Sequence, residues 1–286
     1  MSSYQLLKQV GGVYMQILCE PGLLQGNIHA IPSKSDAHRL LICAALSNQP
    51  TKIIMPGWQG EDIKTTIRCL SALGASFQPT EQGCIVNPIT VPLKNPILDC
   101  KESGSTLRFL LPIVAALGCG GRFIGSGRLP ERPISPLLEA LKKGGVFIDS
   151  NTLPFQLEGK LLSKKYMIPG NVSSQFISGL LFALPLIEGG GTIHVKRPLE
   201  SAGYVNMTLD TLNQFSIYIE TSTNKFRVPP NQYYQSPKKV SVEGDWSNMA
   251  FFLTAGALAL GLSINGAFFQ LISSRNIFNR GNKYVP

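Results

Sequence analysis

The chain has 286 residues, enough for about two domains. Hydrophobic residues make up 44% and charged residues 15%, which excludes a disordered or fibrous chain and fits one with a large core. The net charge of +9 would suit nucleic acid, but lysines and arginines are spread along the chain rather than in blocks, and a preference for small anionic ligands fits equally well.

In chain order, the N-terminus lacks the basic-then-apolar pattern of a signal peptide, and a cytoplasmic location is expected. The first informative segment is IPSKSDAHRLLICAALS (31–47). Ser33 or Ser35 suits an N-cap, and Leu40, Leu41, Ala44 and Ala45 form an apolar stripe. Lys34 at the helix start and Arg39 one turn inside put cations where the helix dipole prefers acids. Either a solvated basic end or a bound anion accounts for them.

Three later segments copy this one: ESGSTLRFLLPIVAALG (102–118), PGNVSSQFISGLLFALPL (169–186) and EGDWSNMAFFLTAGALAL (243–260). Aligning Ser35, Ser105, Ser174 and Ser247 gives steps of 70, 69 and 73 residues. A second, amphipathic helix lies between successive copies: EDIKTTIRCLSALGA, ERPISPLLEALKKGG and YVNMTLDTLNQFS. Runs such as Lys52–Met55, Cys84–Val86, Gly121–Ile124 and Thr192–Val195 read as strands. The fold class is therefore α/β, built from strand–helix–strand–helix–strand modules of about 70 residues. Residues 26–237 should form one complete domain of three modules. Residues 1–25 and 238–286 should form an incomplete second domain, since QLISSRNIFNRGNKYVP (270–286) shows no helical stripe or strand alternation.

The six cysteines (Cys19, Cys43, Cys69, Cys84, Cys100, Cys119) form no CxxC pair and read as reduced core residues. His29, His38 and His194 make no metal-ligand spacing. The apolar run from Met249 to Ile264 is shorter than the ~20 residues of a membrane span and should be a buried core helix. Neither a GxxxxGK[ST] loop nor a strand-anchored GxGxxG is present, so nucleotide-binding chemistry is disfavoured.

Taken jointly, PSKSDAHR, LDCKESGSTLRFL, GRLPERPISPLLEAL, GNVSSQFISGLL, ESAGYVNMTL and VEGDWSNMAFFL resemble the enolpyruvyl transferases. Within them the match is to the 3-phosphoshikimate 1-carboxyvinyltransferases, over about residues 14 to 266. The sister enzymes that act on UDP-N-acetylglucosamine have asparagine after the first lysine and a reactive cysteine loop. Here Ser35 follows Lys34, and no cysteine follows Cys119.

The resemblance implies a monomeric enzyme of the shikimate pathway to aromatic amino acids, with no metal or cofactor. Two pseudo-threefold domains would close over shikimate 3-phosphate and phosphoenolpyruvate. By motif, it implies that Lys34, Ser35, Arg39, Ser173, Ser174, Gln175, Ser201 and Tyr204 bind shikimate 3-phosphate. Lys34, Gly104, Arg132 and Gln175 would bind phosphoenolpyruvate. Arg108 and Arg128 would be secondary cations, as readily structural ion pairs as ligand contacts, and Asp245 a helix cap.

Three departures stand out. Glu102 replaces a frequent asparagine beside the anion site, and Ala202–Gly203 replaces a basic residue and proline. The family's acid/base residues belong to the part expected after about residue 266, so no catalytic residue is assigned. The alternative reading is an inactive truncated fragment that at most binds shikimate 3-phosphate.

Overall fold

The structure, a computed structural model, describes residues 4–10, 13–19, 26–58, 60–196, 198–259 and 262–265. The expectation for the tail (270–286) lies outside them, as does that for the Cys19 side chain.

Two compact units emerge, Ile31–Glu243 and a second whose described residues fall within Met1–Ala30 and Gly244–Gly281. The described residues of the first hold three four-stranded sheets, one per module, and six α-helices. In the middle module, β7 (Ile97–Asp99) leads to α3 (Gly104–Leu117), β8 (Gly121–Ile124), α4 (Ser135–Lys143), β9 (Phe147–Ile148) and β10 (Phe155–Glu158). Its sheet order is β7-β8-β10-β9, with β7 parallel to β8 and the other pairs antiparallel. The third module repeats this with β11 (Lys165–Pro169), α5 (Ser174–Ala183), β12 (Gly191–Lys196), α6 (Ala202–Gln214), β13 (Glu220–Ser222) and β14 (Lys225–Val228). Its sheet order is β11-β12-β14-β13. Each module thus has one strand more than the expected pattern, because its last stretch folds back as a hairpin.

The first module contains α1 (Lys34–Leu46), β4 (Thr51–Ile54), α2 (Glu61–Ala72), β5 (Ser76–Thr80) and β6 (Gly83–Asn87). Its leading strand does not precede α1. That place beside β4 is taken by β15 (Lys239–Ser241), parallel to β4 as β7 is to β8. The segment that does precede α1, β3 (Gly26–His29), pairs instead with β16 (Leu262–Asn265) in the second unit. The compact unit runs Ile31–Glu243, where the sequence pattern sets the boundary at 26–237. Its two ends are tied together: the Ser33 amide donates to the Glu243 carbonyl at 2.8 Å, and the Glu243 amide to Asp36 Oδ2 at 2.9 Å.

Strands β4 and β8 bury alternate residues, as a sheet with one covered face requires. The covering layer is the set of first helices, α1, α3 and α5, whose apolar residues are buried almost all round. Helices α3 and α5 approach closely because position 179 is glycine. A Cβ there would lie 2.4 Å from the Arg108 carbonyl oxygen and 3.1 Å from the Pro112 ring. Cys43, Cys69, Cys84 and Cys100 are buried free thiols, and Cys119 is free and half-buried.

In the second unit, β1 (Tyr4–Val10) and β2 (Val13–Cys19) form an antiparallel hairpin. Helix α7 (Trp246–Ala259) packs on β16. Its start is capped as expected: the Asn248 amide donates to Asp245 Oδ1 at 2.9 Å. An apolar helix of this kind needs cover on several sides, and here Phe251 is 77% exposed and Phe252 40%. No helix among the described residues is long and apolar enough to cross a membrane.

Candidate functional site

The caps of the three first helices are Ser33, Ser103 and Ser173, each 70 residues from the last. Each accepts a bond from a backbone amide of the first turn: Ser33 from Asp36, Ser103 from Thr106 and Ser173 from Gln175, all at 3.3 Å. This settles the first cap on Ser33 and leaves Ser35 inside the helix. Each remaining first-turn amide keeps partial positive charge.

At the start of α3 two guanidinium groups meet. A Cβ on Gly104 would lie 3.2 Å from Arg108 Nη1 and 3.2 Å from Arg132 Nη1. Arg108 donates to Gln175 Oε1 (2.9 Å) and to the Pro133 carbonyl (3.0 Å). Gln175 in turn donates to Ser105 Oγ at 2.8 Å. Burial and then the charge of Arg132 both push the Arg108 pKa down. Neither arginine has a carboxylate partner among the described residues. Of the two readings open for Arg108, the ion pair fails. For Arg128 it holds, through a 3.7 Å exposed pair with Glu131. Glu102 accepts from the Arg128 amide at 3.3 Å. Gly127, at φ 56°, makes room for it, since a Cβ there would overlap Glu102 Oε1.

Around α1 the charges are settled differently. Lys34 Nζ pairs with Asp62 Oδ2 of α2 at 2.8 Å. Arg39 is only 2% exposed and works inside the protein. Its Nε donates to Thr208 Oγ1 (2.8 Å), Nη1 to the Ser35 carbonyl (2.5 Å) and Nη2 to the Tyr204 carbonyl (2.9 Å). It also lies 5.2 Å over the Phe109 ring. Burial pushes its pKa down to about 10, with Asp36 opposing, so it stays cationic at neutral pH. Arg39 thus ties α1 to α6. Asp36 is buried too, and burial raises its pKa.

Two groups of predicted residues thus assemble. Gly104, Arg132, Gln175, Ser173 and Ser174 gather with Arg108 at the starts of α3 and α5. Ser35 and Tyr204 are joined through Arg39, and Tyr204 is 44% exposed. Ser201 sits before α6 in a left-handed conformation (φ 57°) and makes no side-chain cap bond. Sequence reasoning missed Asp62, Asp36, Thr66 and Thr208. A carboxylate in the first turn of α2 was visible, but its partner 28 residues away was not. No group of three His, Cys, Asp or Glu among the described residues could hold a metal ion.

Comparison with known proteins bears on this arrangement. The family model for EPSP synthase (3-phosphoshikimate 1-carboxyvinyltransferase) matches residues 19–274. A 3-phosphoshikimate 1-carboxyvinyltransferase of Clostridium beijerinckii is 38% identical over 256 residues, covering 86% of this chain and 58% of that protein. One from Clostridium kluyveri is 39% identical over 250 residues, with the same two coverages. The chain thus spans a little over half the length of these relatives. The fold matches that of EPSP synthase from Acinetobacter baumannii with a TM-score of 0.72 at 23% identity, over 85% of this chain and 56% of that one. With a family match over most of its length, the chain belongs to the EPSP synthase family.

Proposed function

We propose that the three-module domain binds shikimate 3-phosphate and, beside it, phosphoenolpyruvate, for transfer of the enolpyruvyl group to the 5-hydroxyl with release of phosphate. In that reaction the hydroxyl oxygen bonds to the central carbon of phosphoenolpyruvate while its methylene takes a proton. The tetrahedral adduct then loses phosphate and the proton. Two phosphates and a carboxylate must be held close together against their own repulsion, which needs fixed cations and aligned amides.

The observation that carries this reading is the pair of guanidiniums of Arg108 and Arg132 flanking Gly104 without a carboxylate partner among the described residues. Two like charges so close, one partly buried, are unfavourable until an anion joins them. Gly104, Arg132 and Gln175 would then hold phosphoenolpyruvate. Ser173, Ser174, Ser201 and Tyr204 would hold shikimate 3-phosphate, with Lys34 turning from Asp62 to reach both. Arg39 would act from behind by fixing Ser35 and Tyr204. On this reading the protein works on small molecules rather than nucleic acid, in the cytoplasm and as a monomer.

Titration calorimetry with shikimate 3-phosphate, alone and with phosphoenolpyruvate, tests the binding, and a phosphate-release assay on the same preparation tests the transfer. Saturable binding lost in Ser174→Ala supports the assignment. Binding without phosphate release would leave the chain a binding domain, and absence of binding would overturn the reading.

A further inference from the structure

The three first helices are joined to one another by polar contacts, and the links through Thr66 and Thr208 are buried and used by no substrate assignment. Between α1 and α3, His38 Nδ1 meets Thr66 Oγ1 at 2.8 Å, and Thr66 meets Thr106 Oγ1 at 2.7 Å. Thr106 then donates to Ser103 Oγ, the α3 cap, at 2.7 Å. Because Thr106 spends its one proton on Ser103, Thr66 must donate to Thr106 and accept from His38. This assigns the Nδ1–H tautomer to His38. Between α5 and α1, Ser178 Oγ meets Thr208 Oγ1 at 2.7 Å, and Arg39 Nε donates to the same oxygen. Thr208 gives its proton to the Tyr204 carbonyl at 2.9 Å, so Ser178 is the donor. Between α3 and α5, Arg108 donates to Gln175.

The contacts follow the repeat. His38, Arg108 and Ser178 are successive residues at a spacing of 70. Thr66 and Thr208 play one role twice: each, on a second helix, grips that position of its own module and a residue of the next module's first helix. His38, Thr66, Thr106, Ser178 and Thr208 are each no more than 1% exposed.

We infer that these contacts form one closed ring, α1 to α3 to α5 and back to α1, and that Thr66 and Thr208 are positioning residues for the anion site. The ring lies at or just below the first turns of the helices whose amides and caps face the ligands. It fixes the spacing between the Ser33, Ser103 and Ser173 ends. Anion binding by several helix starts depends on that spacing, since misplaced donors lose most of their worth. This inference rests on the proposed binding of shikimate 3-phosphate, but the ring itself can be read without a ligand.

The test uses Thr66→Val and Thr208→Val, close in shape but without the hydroxyl, and Thr66→Ser and Thr208→Ser, which keep it. Two readouts are taken: affinity for shikimate 3-phosphate, and amide hydrogen exchange in residues 34–37, 104–107 and 174–177. Each valine variant should weaken binding on the order of tenfold, the effect of losing about one to two buried hydrogen bonds. Each serine variant should stay within about twofold of wild type. Exchange should quicken at all three helix starts in either valine variant, including that of α3 in Thr208→Val, although Thr208 does not bond to α3. Folded valine variants with wild-type affinity, or with faster exchange only in the helices they touch, would overturn the inference. If a valine variant does not fold, Ser178→Ala removes one link and should show the same three-helix pattern at smaller amplitude; an unchanged α3 there would also overturn it. Failure of wild type to bind shikimate 3-phosphate would defeat the proposed function, and the exchange pattern alone would then decide on the ring.

Discussion

The starts of α1 and α3 are two copies of one element with opposite charge accounts. At α1, Lys34 is matched by Asp62, and buried Arg39 has Asp36 beside it. At α3, Gly104 stands at the position of Lys34, one repeat of 70 on, and Arg108 at that of His38. Arg108 there has polar neutral partners and the like charge of Arg132 nearby. The first start is electrically complete and the second is not. The repeat supplies the scaffold, and departures from it leave two cations at the second start without a carboxylate partner among the described residues.

The largest expected effect breaks the packing that brings α5 against α3. Gly179 occupies the repeat position that Arg39 holds in α1, and its Cβ would strike the backbone carbonyl of Arg108. Backbone cannot swing aside as a side chain can, so Gly179→Ala should cost about 3 kcal/mol of stability in a chemical denaturation curve. A loss within error would mean that the helices are free to separate.

The next effect sharpens the contrast between His38 and Arg108. Burial pushes the His38 pKa from 6.5 down to about 3. Unfolded, this group takes a proton near pH 6.5; folded, it resists until about 3. Its contribution is therefore whole above pH 6.5 and is lost as pH falls, by about 1.4 kcal/mol per unit. Asp36, whose pKa burial raises, acts in the opposite sense at the acid end. Comparing wild type with His38→Asn, which keeps a donor near the Nδ1 position, isolates the histidine. The variant should lose about 2 kcal/mol less between pH 6.5 and 5. Equal slopes would show that His38 is not buried as a neutral ring.

Gly104→Ala probes the incomplete start directly. The added methyl meets the ends of two flexible side chains 3.2 Å away, so the fold should survive while both guanidiniums shift. Phosphoenolpyruvate binding in the presence of shikimate 3-phosphate should weaken by roughly tenfold, the scale of one charge-assisted contact, and shikimate 3-phosphate binding much less. Equal losses for both ligands would remove Gly104 from the smaller ligand's place.

The smallest effect belongs to the complete start. Lys34 and Asp62 are 56% and 34% exposed, so Asp62→Asn should change stability by no more than about 0.5 kcal/mol. It should also tighten shikimate 3-phosphate binding slightly, because Lys34 no longer leaves a partner to reach it. Weaker binding would show that Asp62 aims the lysine rather than competing for it.

The repeat and its helix order were legible in the sequence because capped starts and apolar stripes are local signals. Ser33, Ser103 and Ser173 could be placed to within two residues. The exchange of β3 and β15 was not legible. Gly26–His29 and Lys239–Ser241 each read as the strand before a first helix, and nothing local says which sheet each joins. In the site, Gly104, Arg132 and Gln175 came from motif; Gly104 lies beside Arg132 and Arg108, and Arg108 donates to Gln175. Arg39 shows the limit: its motif says nothing of Thr208 and Tyr204, the partners 169 and 165 residues away that receive its hydrogen bonds.

The central claim is that capped helix starts of the 31–243 unit converge on one phosphorylated ligand. Its most direct test is an amide chemical-shift titration with shikimate 3-phosphate. The account predicts saturable shifts concentrated at residues 34–36, 104–106 and 173–176, with the far ends of the same helices unmoved. Shifts centred elsewhere on the domain, or none at millimolar ligand, would contradict it.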